Sequence, residues 1–92
     1  MDEPSALSQL LEFPCDYQFK AFGPRDEDDS FVLAVREAVS SVVPVSGDGV
    51  RTRSSSRGTY LCVTISVRLH NADQVQAIYA SLRRIESLKY LL

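Results

Sequence analysis

Three arginines, Arg51, Arg53 and Arg57, bracket a run of serines, Ser54, Ser55 and Ser56, and Gly58 follows. Guanidinium groups pair bidentately with carboxylates and phosphates, and serine hydroxyls and turn N–H groups add donors. Residues two apart on a strand share a face, so Arg51 and Arg53 can converge on one anion. Gly58 tolerates a turn conformation that exposes an N–H. The candidate anion site is therefore Arg51, Arg53, Ser55, Ser56, Arg57 and Gly58, with a small acidic molecule, or an acidic patch of a partner or second subunit, as its complement. The competing reading is an edge strand whose charges only block stray pairing.

Other chemistry finds little support. His70 is the sole imidazole, and it sits at the end of a strand pattern beside a helix cap. A thiol nucleophile needs a neighbouring base, and neither Cys15 nor Cys62 has one in its pattern. The two cysteines fall on opposite parities of their strands, so a disulfide between them is not expected. Two Cys and one His do not close a structural zinc site. The acids Asp26–Asp29 are contiguous, not spaced as in a calcium loop. No glycine-rich phosphate loop is present. A chain without catalytic residues, metal or cofactor is expected.

The elements that position these residues are set by hydrophobic period. Leu61, Val63, Ile65, Val67 and Leu69 alternate with Tyr60, Cys62, Thr64, Ser66 and Arg68, which predicts a half-buried strand over Thr59–His70. Tyr17, Phe19 and Ala21 alternate with Gln18 and Lys20 in a first strand, Cys15–Phe22, stopped by Gly23-Pro24. Arg25–Ser30 reads as a helix start, acids complementing the helix dipole and Asp or Ser capping it. Phe31, Val35, Ala38, Val39 and Val42 form that helix's apolar stripe, and Pro44 marks its stop. Ser46–Gly49 is a turn, Val50–Ser54 a short polar strand and Ser55–Gly58 a hairpin. Asn71 and Gln74 cap a second helix with Val75, Ile78, Tyr79, Leu82 and Ile85 inward. Leu88–Leu92 is a last strand.

This order is the βαββαβ of an α+β, ferredoxin-like two-layer sandwich: a four-stranded antiparallel sheet with two helices on one face. Right-handed crossovers put the first and third strands in the centre. Residues 1–12 are expected to be a flexible lead-in, and 13–92 the single domain.

The 92 residues carry a net charge of −2, with −7 in residues 1–48 and +5 in residues 49–92. Interleaving of the halves in the fold would neutralise part of that asymmetry. No stretch is apolar enough to span a bilayer, and the acidic start Met1-Asp2-Glu3-Pro4 is unlike a signal peptide, so a cytoplasmic location is expected. Arg57-Gly58 opens like an RNA-recognition strand motif. Thr59, Leu61 and Thr64 stand where its stacking aromatics would, and no nucleic-acid partner is expected.

Phe13-Pro14 before an aromatic strand ending in Gly23, Ser55-Ser56-Arg57-Gly58-Thr59-Tyr60 opening a Val-Thr-Ile-Ser strand, and Gln74-Val75 with Ile78-Tyr79 together resemble the bacterial YbeD-like family of small proteins. The likeness covers about Leu10 to Leu92. It implies a ferredoxin-like fold similar to ACT regulatory domains, which sense small molecules, often as dimers, and a link to lipoate. The expectation is a regulatory, ligand-sensing module for a small acidic metabolite, acting as a weak homodimer or through an unidentified protein partner. The alternative is an interaction adaptor with no small ligand.

Overall fold

The alternation of Leu61, Val63, Ile65, Val67 and Leu69 builds the longest part of the molecule. In the computed structural model, which describes residues 12–25, 28–55 and 57–92, these side chains are all buried in strand β3, Tyr60–Leu69. Strand β1, Cys15–Pro24, pairs with β3 antiparallel along its whole length, from Cys15 opposite Leu69 to Pro24 opposite Tyr60. Strand β2, Val50–Ser54, flanks β3, and β4, Tyr90–Leu91, flanks β1. The order β2-β3-β1-β4 is the one the crossover rule requires. Backbone bonds from Lys89 N–H to the Phe22 carbonyl and between Lys20 and Leu92 extend the β4 pairing one residue each way.

Helices α1, Ser30–Ser40, and α2, Ala72–Arg83, cover one face. Their inward residues, Phe31, Val35 and Val39 on α1 and Val75, Ile78, Tyr79 and Leu82 on α2, meet Phe19, Ala21 and the buried row of β3 in one core. Within it the Tyr17 and Tyr79 hydroxyls hydrogen-bond at 3.0 Å, and the Arg83 guanidinium lies 5.7 Å from the centre of the Tyr79 ring. Burial, reinforced by the Tyr17 hydrogen bond, pushes the Tyr79 phenol above its ordinary range.

The α2 start follows its sequence. The Gln74 N–H donates to Asn71 Oδ1 at 2.9 Å, and Gln74 Oε1 accepts from the His70 N–H at 2.7 Å. This is a capping box displaced by one residue on its return bond. The α1 start does not follow the expected acidic cap. Asp29 precedes the helix in a left-handed conformation, φ 57°, and makes no side-chain cap bond. Asp28 Oδ1 instead accepts the Ser30 N–H at 3.2 Å, and the first turn of the helix holds no acid. Asp26 and Glu27 lie outside the described residues. At its other end α1 proper ends at Ser40, where the Ser40 and Ser41 hydroxyls bond back to the Glu37 and Ala38 carbonyls, and backbone bonds from Ser41 to Glu37 and from Val43 to Val39 carry the turn on to the residue before Pro44.

Strand β1 also runs past its expected stop. Gly23 and Pro24 stay in the ladder, opposite Leu61 and Tyr60. The Arg25 N–H donates to the Thr59 carbonyl, so by the antiparallel alternation the missing proline N–H belongs to the side facing away from β3. The β4 pairing ends before it reaches that point, so no ladder bond is lost. The expected lead-in, 1–12, lies outside the described residues except for Glu12.

Candidate binding site on the open sheet face

Because both helices sit on one side, the other side of the sheet is uncovered, and strand parity decides what stands on it. Register aligns two rows across the strands. Arg53 lies opposite Cys62, Cys62 opposite Phe22, and Phe22 opposite Tyr90. Arg51 lies opposite Thr64, and Thr64 opposite Lys20. The Phe22 and Tyr90 rings touch with centroids 5.9 Å apart. Strands lie about 4.8 Å apart, so a row from Arg53 to Tyr90 measures roughly 14 Å, the reach of a small metabolite.

At the hairpin end of this face, Phe22, Arg53, Ser54, Ser55, Tyr60 and Cys62 line a depression of about 340 Å³. One side is a guanidinium and hydroxyls, the other two aromatic rings and a thiol. Arg53 is in no ion pair among the described residues, and neither is Arg51. On this face Arg68 pairs with Asp16 at 3.1 Å, at the opposite end of β3. The Ser55 hydroxyl accepts the Tyr60 N–H at 3.2 Å, which leaves its own proton to donate.

The predicted cluster is therefore brought together only in part. Arg51 and Arg53 share a face, as their spacing requires, and Arg53 and Ser55 line one depression. Arg57 is exposed in the hairpin turn. Ser56 lies outside the described residues. Gly58 is not a donor to a ligand: its N–H donates to the Ser55 carbonyl at 2.9 Å and closes the turn, with φ 70° suiting glycine. Phe22, Tyr60 and Cys62 are the members that reading β2 and the hairpin alone does not reach. The even parity of Phe22, against the inward Phe19 and Ala21, was the available signal. Arg25, the residue after β1, reaches the hairpin turn, where a Cβ at Gly58 would stand 3.1 Å from its Nη1, but it does not line this depression.

No imidazole approaches this depression, since His70 follows the far end of β3. Cys62 Sγ is 4.0 Å from Thr64 Oγ1, a hydroxyl and not a base. Both cysteines are free, as their opposite parities predict. Among the described residues no group of His, Cys, Asp and Glu could hold a metal ion. No helix of the described residues is long and apolar enough to cross a membrane.

Fold and face define a ferredoxin-like sandwich with one helix-covered and one free sheet surface. A family model described as "Protein of unknown function (DUF493)" matches residues 8–92, and the chain belongs to that family, the YbeD-like group its motifs resemble. It is 39% identical over 89 residues to a UPF0250 protein of Shewanella amazonensis, covering 96% of this chain and 97% of the relative. It is 33% identical to a UPF0250 protein of Neisseria gonorrhoeae, with 100% of both chains covered. Among solved structures, protein HP0495 from H. pylori is similar with a TM-score of 0.70 at 13% identity, over 89% of this chain and 85% of that one. That likeness is one of fold.

Proposed function

We propose that this chain is a cytoplasmic, non-enzymatic sensor of a small carboxylate with an apolar tail, held on the open face of the sheet. The observation that carries the reading is the depression in which Arg53 and Ser55 face Phe22, Tyr60 and Cys62. Arg53 takes the carboxylate bidentately, Ser55 adds a hydroxyl donor, and the rings and thiol take the tail. Its volume of about 340 Å³ falls at the low end of small-molecule sites. Lipoyl compounds have this carboxylate-and-tail chemistry, which fits the link that the family resemblance implies.

The output of the sensor is self-association. Tyr60, Tyr90 and Leu92 expose apolar surface on or beside the open face, while Arg51, Arg53 and Lys20 oppose the meeting of two such faces. A bound carboxylate offsets part of that positive charge, so the ligand favours a weak homodimer.

A thermal-shift screen against amino acids, lipoate and nucleotides tests the reading. At a ligand concentration of about ten times Kd, stabilisation is about 1.4 kcal/mol, a rise of roughly 6–11 °C for a domain of this size. Lipoate or another tailed carboxylate is expected to produce it, and Arg53→Ala to abolish it. Absence of a rise with every carboxylate, or an equal rise in Arg53→Ala, refutes the site. Sedimentation showing only the 10.2 kDa species with ligand present refutes the dimer.

A further inference from the structure

A larger concavity than the open-face depression lies on the other side of β2. β2 is an edge strand, hydrogen-bonded to β3 alone. The Ser55 N–H donates to the Tyr60 carbonyl, and antiparallel pairs alternate, so Arg53 with Cys62 and Arg51 with Thr64 carry the ladder bonds. The N–H and C=O groups of Thr52 and Ser54 therefore point out of the sheet, while the Val50 N–H donates to the Gly47 carbonyl. The side chains of Thr52 and Ser54 lean to the helix side, where α1 packs over β1 and β3 and leaves β2 uncovered. Leu33 of α1 is consequently 57% exposed. Between helix and edge runs a cleft of about 720 Å³, lined by Arg25, Asp29, Val32, Leu33, Thr52, Ser54 and Leu61. Its rim carries the outward backbone groups of Thr52 and Ser54, and Val32, Leu33 and Leu61 give it an apolar strip between the polar Arg25, Asp29, Thr52 and Ser54.

Charge selects the occupant. A strand added to β2 places every second side chain beside Arg51 and Arg53 and the ones between in the cleft. A second copy of β2, antiparallel about Thr52, would set Arg51 against the partner copy's Arg53 and the reverse, four guanidinium groups in one patch. Like charges directly opposite destabilise a pair, and arginine at an edge blocks such self-pairing.

We propose that the outer edge of β2 takes an extended segment of another protein as a fifth strand, its acidic side chains at alternate positions facing Arg51 and Arg53 and an apolar side chain between them entering the cleft beside Leu33. The backbone bonds supply affinity and the acid–apolar–acid alternation supplies selectivity. This surface shares Arg53 and Ser54 with the open-face depression, and Leu33, which lines only the cleft, separates the two readings in the test.

The probe is a short fluorescent peptide alternating Asp and Val, with a Lys and Val peptide as its control. Anisotropy is expected to show weak binding of the acidic peptide that falls as salt rises, because the contacts are exposed. NMR is expected to show the largest amide shifts at Thr52 and Ser54. Arg51→Glu with Arg53→Glu should reverse the preference, losing the acidic peptide and gaining the basic one. That reversal shows the variant is folded. Leu33→Glu should weaken the acidic peptide by about tenfold or more, or ~1.4 kcal/mol, while keeping the carboxylate thermal shift. Equal binding of both peptides, unshifted Thr52 and Ser54 amides, or tighter binding of a single-stranded oligothymidine to the same arginines each overturns the proposal.

Discussion

Replacing Gly23 with alanine tests how tightly α1 is seated on the sheet. A Cβ at this position would stand 2.4 Å from Cε1 and Cζ of Phe31 and 2.6 Å from its Cδ1. Unbonded carbons rest at about 3.5–4.0 Å, so the ring must retreat by about 1 Å. Phe31 is only 1% exposed and packed into the core, so no neighbouring space accepts it. Forced overpacking of this kind costs roughly 1–3 kcal/mol, and the distance here places Gly23→Ala in the upper half, roughly 2–3 kcal/mol. For a domain of this size that lowers Tm by roughly 8–24 °C. Urea melts of Gly23→Ala, Phe31→Leu and the double variant give a cycle. The smaller leucine leaves room for the methyl, so the double variant should be more stable than the two single losses add up to, by about 1 kcal/mol or more. A Gly23→Ala loss within about 0.5 kcal/mol, or strict additivity, refutes the reasoning.

Two further predictions concern the core. Ile65→Ala removes a fully buried side chain beneath the helices and should cost ~2–5 kcal/mol; Thr64→Ala, on the open face, should cost under ~1, and equal losses in denaturant melts would contradict the facing of β3. Tyr79 holds its proton in the folded state beyond the pH, near 10, at which the unfolded chain releases it. Its contribution is complete below pH ~10 and is lost as pH rises toward the folded value, at most about 1.4 kcal/mol per pH unit. Urea midpoints of wild type and Tyr79→Phe between about pH 8 and 11 should therefore converge at the alkaline end, and parallel curves would refute the buried phenol.

Period-two and period-three-to-four patterns made the architecture legible, because β3, α1 and α2 each bury one face against the same core. What escaped the sequence was set by partners distant in the chain. Gly23-Pro24 reads as a stop, yet its ladder is made with Leu61 and Tyr60, and the space a glycine side chain leaves is filled by the Phe31 ring. The α1 cap failed because Asp29 adopts a left-handed backbone and Asp28 bonds in its place. For the site, parity alone put Arg51 and Arg53 together. Joining Phe22 to Arg53 needed both the strand order and the register of β1 on β3. The Gly58 N–H is taken by the turn bond to the Ser55 carbonyl, a pairing that residue types alone do not reveal. The cleft beside β2 follows from where α1 ends up, which no local pattern records.

The pairing of β1 with β3 has a consequence in time. Pro24 is partnered with Tyr60 and Cys15 with Leu69, so β1 has no sheet neighbour until nearly all of the intervening chain exists. At a synthesis rate of ~5–20 residues per second, that interval is roughly 2–7 seconds. Through it Tyr17, Phe19 and Ala21 present an alternating apolar row with only α1 to pack against. β2 is made in the meantime, but its ladder too is to β3. Assembly of the sheet thus waits on one late strand, and the newborn chain is most open to chaperones, or to miscopied pairing with a neighbour, just before β3 arrives.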